Sequence, residues 1–84
     1  MIYIKKKYPD EHTVELVVDG MLNKISIPPL KQIIEKGLFE NRTVCLQLDG
    51  IMHADREGIN FLRRIKTKVI MEGMSDFLRL QIDD

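Results

Sequence analysis

The chain has 84 residues, enough for one domain with a thin core. Its hydrophobic fraction is 44% and its charged fraction is 31%, which excludes a disordered chain. Thirteen basic residues balance thirteen acidic ones, so no overall charge steers the protein toward nucleic acid or an anionic membrane.

Two other features indicate a cytoplasmic protein. Cys45 is the only cysteine, so no internal disulfide can form, and the charged start has no signal-peptide pattern. No apolar run approaches the ~20 residues of a membrane span, so we expect no direct membrane insertion.

Apolar residues alternate along several short segments, which is typical of half-buried strands. The predicted strands are Ile2 to Tyr8, Thr13 to Asp19, Thr43 to Leu48 and Phe77 to Ile82. The turn at residues 9–12 predicts an antiparallel hairpin of the first two strands.

Two helices are predicted between the later strands. The first begins near Pro28-Pro29, with Ser26 as a plausible cap and Gly37 and Asn41 as candidate stop signals. The second is predicted from Arg56 to Glu72, with Asp55 as its cap and Gly73 after its end.

The element order ββαβαβ implies two right-handed crossovers and a mixed sheet. Strands buried on both faces would be continuously apolar, and these alternate. We therefore predict an α/β, two-layer sandwich in which a four-stranded sheet carries both helices on one face. Tyr3, Val17, Cys45 and Phe77 would form an apolar stripe across the open face.

Three segments resemble the STAS domain, found in bacterial anti-sigma factor antagonists and at the C-termini of sulfate transporters. Residues 18–23 (VDGMLN) resemble the family's Gly-x-Leu-Asp segment, with Asn23 in place of aspartate. Residues 44–51 (VCLQLDGI) resemble its central strand, and residues 54–59 (ADREGI) fall where the family has Asp-Ser-Ser-Gly-Leu. The likeness spans about Thr13 to Ile82.

The resemblance implies a protein-binding module rather than an enzyme. In family members that switch by phosphorylation, the first serine of Asp-Ser-Ser-Gly accepts the phosphate; here Arg56 and Glu57 occupy the two serine positions, so that switch is absent. The expected partner is an anti-sigma factor kinase-like protein. The alternative is a role as a cytoplasmic subunit of a transport assembly. Family members also continue into a further helix, which we expect to be missing here, so homodimerisation is a hypothesis.

The partner-binding site is predicted at the loop and helix start that the resemblance marks. It comprises Met52, His53, Asp55, Arg56, Glu57 and Gly58. On local grounds the same residues also suit a plain helix start, with Asp55 as cap, Glu57 at the positive helix end and Gly58 allowing close packing.

Other chemistry is not favoured by the pattern. Asp49 suits a turn at a strand end better than catalysis, and Cys45 suits a small filler with no base nearby. His12 and His53 lack metal-ligand spacing, and the glycines form no phosphate loop, so we expect neither a metal nor a cofactor. The basic cluster at residues 63–68 is interpreted as a solvated helix face rather than a nucleic-acid site.

Overall fold

A computed structural model describes residues 1–83 of the chain. Seven elements follow one another along it: β1 (Ile2–Asp10), β2 (Thr13–Leu22), α1 (Ile27–Phe39), β3 (Thr43–Ala54), α2 (Arg56–Ile65), β4 (Ile70–Glu72) and α3 (Asp76–Ile82). Within the described residues, no helix has the length and apolar character needed to cross a membrane.

The four strands form one mixed sheet in the order β1-β2-β3-β4. β1 and β2 pair antiparallel as the predicted hairpin, while β2–β3 and β3–β4 pair parallel. The predicted four-stranded mixed sheet is therefore confirmed, and each parallel pair is joined through a helix as the β–α–β order requires.

One face of this sheet carries the core. The inward residues of the two central strands are fully or almost fully buried: Val14, Leu16, Val18, Val44, Leu46 and Leu48. They join a single apolar cluster with buried residues of all three helices: Leu30, Ile34, Ile59, Phe61, Leu62, Leu78 and Ile82. The two-layer arrangement is as predicted, with three helices on that face instead of two.

The last element is a helix, so the predicted strand at residues 77–82 is wrong. Leu78 and Ile82, four residues apart, are buried, whereas Leu80 is 72% exposed. That spacing is one helical turn. Ser75 begins the helix, because its side-chain oxygen accepts a hydrogen bond from the backbone N–H of Leu78 at 3.2 Å. The expectation that a further helix is missing is therefore also wrong, because α3 follows the last strand.

The fourth strand is instead Ile70–Glu72, and α2 ends at Ile65 rather than Glu72. Cys45, Leu46 and Gln47 of β3 pair with its three residues. Residues 66–69 form a turn and residues 70–72 a short strand, so the predicted helix is too long at its C-terminal end. Gly73 does adopt a positive φ of 73°, but it follows β4 and not the helix.

The open face of the sheet is more polar than predicted. Tyr3 lies opposite Asp19 and Lys5 opposite Val17, and Phe77 lies on α3, away from the sheet. The predicted apolar stripe is therefore wrong in its membership, because it relied on a fourth strand that does not exist at residues 77–82.

Candidate functional site

The start of α2 is held by the side chain of Asp55. Its backbone is extended, with φ −84° and ψ −175°, and Oδ1 accepts a hydrogen bond from the Gly58 N–H at 2.9 Å. Its backbone carbonyl accepts from the Ile59 N–H at 2.9 Å. Glu57 lies in the first turn, where a negative charge suits the positive end of the helix. Asp55 is thus the helix cap that the sequence predicts.

Gly58 fixes this helix start against the end of β2. The carbonyl of Leu22 accepts a hydrogen bond from the Asp55 N–H at 3.1 Å. A Cβ at Gly58 would collide with that same carbonyl oxygen and lie 3.1 Å from Leu22 Cγ. Only glycine fits this contact without movement, so residues 55–58 form a joint between helix and sheet.

β3 is longer than predicted and irregular at its end. Residues 52–54, predicted as part of a loop, belong to the strand, and Asp49 lies inside it rather than at its end. Gly20 and Met21 of β2 face Ile51 and His53, which leaves Met52 as an extra residue between the two pairs. This is a β-bulge, and its residue Met52 is 87% exposed. Bulges redirect side chains and are common beside functional sites.

The loop between β2 and α1 adds to the same end of the sheet. Ser26 is 5% exposed, and its hydroxyl donates to the Met21 carbonyl at 3.0 Å while its Oγ accepts from the Asn23 N–H at 2.8 Å. The Asn23 side-chain oxygen accepts from the backbone N–H groups of Ile25 and Ser26. Ser26 occupies the N-cap position of α1 but makes no side-chain cap bond, so the predicted capping role is wrong. Its hydroxyl instead braces the loop.

The six predicted site residues divide into two groups. Met52, His53, Arg56 and Glu57 are exposed, whereas Asp55 is half-buried as a cap and Gly58 is buried. Within residues 1–83 the ion pair is Arg42 with Glu40, so Arg56 and Glu57 are not held by an intramolecular ion pair there.

Sequence reasoning missed two exposed apolar residues at this end of the sheet. Ile25 is 85% exposed in the loop after β2, and Met21, beside His53 in the sheet register, is 41% exposed. The resemblance at residues 18–23 marks the segment that contains Met21 but does not indicate its exposure, and no signal in the sequence marks Ile25. Methionine and arginine are enriched at protein interfaces, so the composition of this surface suits a protein partner.

Among residues 1–83, two titratable groups have shifted pKa values, and both lie away from this surface. Burial, and then the hydrogen bond that the Cys45 thiol donates to Glu72 Oε1 at 2.9 Å, raise the pKa of Cys45 to about 12. The thiol therefore stays protonated at neutral pH, which does not suit a nucleophile. The His12 backbone N–H, 2.8 Å from Asp10 Oδ1, lowers the pKa of Asp10 in an exposed turn.

The remaining candidate groups do not converge. His12 lies in the β1–β2 turn and His53 near the opposite end of β3, so they cannot share a metal ion. Among the described residues, no three His, Cys, Asp or Glu side chains are grouped so as to hold a metal.

The predicted solvated cluster on α2 has a partly structural role. Arg63 Nε donates to the Gln81 carbonyl at 2.8 Å and Lys66 Nζ to the Ile82 carbonyl at 3.2 Å, both at the C-terminal end of α3. Cations are favourable at this end of a helix.

Solved structures with the same fold are known. The anti-sigma factor antagonist SpoIIAA, in its unphosphorylated form, matches with a TM-score of 0.76 and 16% identity over 96% of this chain and 82% of that one. An uncharacterised protein of the DUF3478 family from Shewanella loihica PV-4, with a SpoIIAA-like fold, matches with a TM-score of 0.62 and 11% identity over 94% of this chain and 71% of that one. The sequence itself matches no protein-family model and no curated protein. The chain has a STAS-like, SpoIIAA-like fold.

Proposed function

We propose that this STAS-like domain is a non-catalytic interaction module that binds a regulatory protein at the start of α2. The surface consists of Met52, His53, Arg56 and Glu57, with Asp55 and Gly58 holding its shape. The anti-sigma factor antagonist of the same fold supports a regulatory partner, such as an anti-sigma factor kinase-like protein.

The observation that carries the proposal is the exposure of Met52 at the bulge of β3. An apolar side chain that is 87% exposed beside a charged pair is costly to leave in water and useful to bury in a complex. Met52 lies near the end of β3 and Arg56 begins α2 four residues later, so we propose that one partner covers Met52, Arg56 and Glu57 together.

Control by phosphorylation at residues 56 and 57 is excluded by chemistry, because neither side chain has a hydroxyl. A carboxylate at Glu57 carries less charge and fewer acceptor atoms than a phosphate group. We therefore propose that binding here is constitutive or is regulated elsewhere.

The test is affinity capture of the tagged chain from a lysate of its own organism, with quantitative mass spectrometry. The double variant Arg56→Asp/Glu57→Lys exchanges the charges at the helix start without changing the net charge. Lys7→Asp/Glu11→Lys makes the same exchange at exposed positions near the β1–β2 turn and serves as the matched control.

We expect one regulatory protein to be captured by the wild type and the control but not by the first double variant. A partner retained equally by both variants would refute the assignment of the binding surface to the start of α2. Capture of ATPase or permease subunits would support the transport alternative in place of the regulatory one.

A further inference from the structure

A second surface is the groove between α1 and α2. Both helices pack on β3, but their backbones approach each other at few points, which leaves a groove of about 310 Å³. Its apolar residues come from both helices: Ile27, Ile34, Leu38, Phe61 and Ile65. Ile34 and Phe61 are each 2% exposed and form the floor.

The rim of the groove is basic. The rim has three basic residues: Lys31 on α1, Arg64 on α2 and Lys68 in the turn after α2. It has one acidic residue, Glu35. The three cations and one carboxylate give the rim a net charge of +2, although the whole chain is neutral. Among the described residues, none of these four side chains takes part in an ion pair.

We propose that this groove binds an acidic amphipathic helix of a partner protein. An apolar floor between two helices, bordered by charge, is the geometry of helix-in-groove recognition. The basic rim requires carboxylates on the flanks of the bound helix. None of residues 52–58 lines the groove, so the occupant would bind at a site distinct from the one proposed at the start of α2.

A strand does not suit the groove, because its lining residues lie on α1, α2 and the turn after α2, and none of them belongs to a strand that could pair. The exposed edge strand β1 carries Lys5, Lys6, Lys7 and Pro9, which oppose pairing with another strand. A helix satisfies its own backbone hydrogen bonds and needs only apolar and charged contacts, which the groove supplies.

The test measures binding of three fluorescein-labelled peptides by anisotropy. The first is an amphipathic peptide of about 18 residues with leucine on one face and glutamate on its flanks, long enough to form helix. The second has the same composition in scrambled order, and the third replaces every glutamate with lysine. Vesicles containing anionic phospholipid provide a separate arm.

The charge-reversal variant is Arg64→Glu/Lys68→Glu, which changes the rim from net +2 to net −2. Its matched control is Arg79→Glu/Lys5→Glu, which reverses one arginine and one lysine at exposed positions outside the groove. Circular dichroism confirms that both variants are folded before binding is compared.

We expect the acidic amphipathic peptide to bind the wild type about tenfold more tightly than either other peptide, with salt-dependent affinity. The groove variant should lose about tenfold in affinity for it and gain affinity for the lysine peptide, while the control keeps the wild-type preference. Equal binding of all three peptides, or no binding, would overturn the proposal. Binding to the vesicles without the peptide preference would assign the groove to a lipid surface instead.

Discussion

Replacing Gly58 with alanine tests the joint between α2 and the sheet. The new Cβ would collide with the Leu22 carbonyl oxygen, which also accepts the hydrogen bond from Asp55. Gly37 of α1 supplies a matched control, because a Cβ there would meet side-chain atoms only, at 2.9 Å from Val44 and 3.2 Å from Val14. Both glycines are buried inside helices.

The expected magnitudes differ because a methyl group of valine can yield more easily than a hydrogen-bonded backbone carbonyl. Glycine to alanine inside a helix gains about 1 kcal/mol from helix propensity in either case. Overpacking costs about 1–3 kcal/mol, and disturbing the Asp55 hydrogen bond costs about 1 kcal/mol more. We therefore expect Gly58→Ala to lower the free energy of unfolding by about 1–3 kcal/mol. For Gly37→Ala the overpacking cost should lie at the low end of its range, so the change should be less than about 1 kcal/mol.

The assay is urea unfolding followed by far-ultraviolet circular dichroism, because the chain has no tryptophan. A loss of about 1–3 kcal/mol corresponds to a fall of roughly 4–24 °C in melting temperature for a domain of this size. A Gly58→Ala protein as stable as Gly37→Ala would refute the joint, since it would show that α2 can shift away from Leu22 at no cost.

Three further results should follow from the structure. Leu46→Ala should lower the free energy of unfolding by about 2–5 kcal/mol in urea titrations, because the side chain is fully buried. A near-neutral result would show that Leu46 lies on the outward face of β3. Asp55→Ala should cost about 0.5–2 kcal/mol through the lost cap, whereas the exposed Arg56→Ser should stay within ~0.5 kcal/mol; equal effects would contradict the cap. At pH 8 the Cys45 thiol of the folded protein should react with iodoacetamide on the order of 10³-fold more slowly than that of the unfolded protein, because folding raises its pKa from 9.0 to about 12. The contribution of the protonated thiol to stability should be lost as the pH rises from about 9 to 12. Fast labelling of the folded protein would disprove the burial of Cys45.

The first two-thirds of the fold could be predicted because local signals agreed with the tertiary structure. The hairpin has alternating apolar residues around a clear turn, and α2 begins with a cap at Asp55 and a close-packing glycine at Gly58. These signals depend on neighbours within a few residues, which the sequence displays directly.

The last third could not be predicted from periodicity alone. Leu78, Leu80 and Ile82 fit an alternating strand, while Leu78 and Ile82 also fit one turn of a helix, and a segment of six residues cannot decide between them. The cap that Ser75 provides to the Leu78 N–H favours the helix over the strand. With that segment helical, the edge of the sheet beside β3 is taken by the three-residue β4, which is too short to show a period of its own.

The exposed part of the candidate site was only partly predictable for a different reason. A bulge is defined by pairing between two strands, so the position of Met52 depends on the register of β3 against β2. The resemblance marked residues 54–59 correctly as a helix start, but it carried no information on that register. The groove between α1 and α2 could not be predicted either, because its shape depends on how the two helices pack on the sheet.

The two proposed surfaces share α2, and the way this helix is anchored bears on whether they influence each other. Its N-terminal end is fixed to β2 through Asp55, Gly58 and the Leu22 carbonyl. Its C-terminal half is tied to α3 through Arg63 and Lys66. Coupling between sites requires an element with two arrangements that the ligands bind differently. Because hydrogen bonds fix α2 at both ends, we expect the start of α2 and the α1–α2 groove to bind their proposed partners independently.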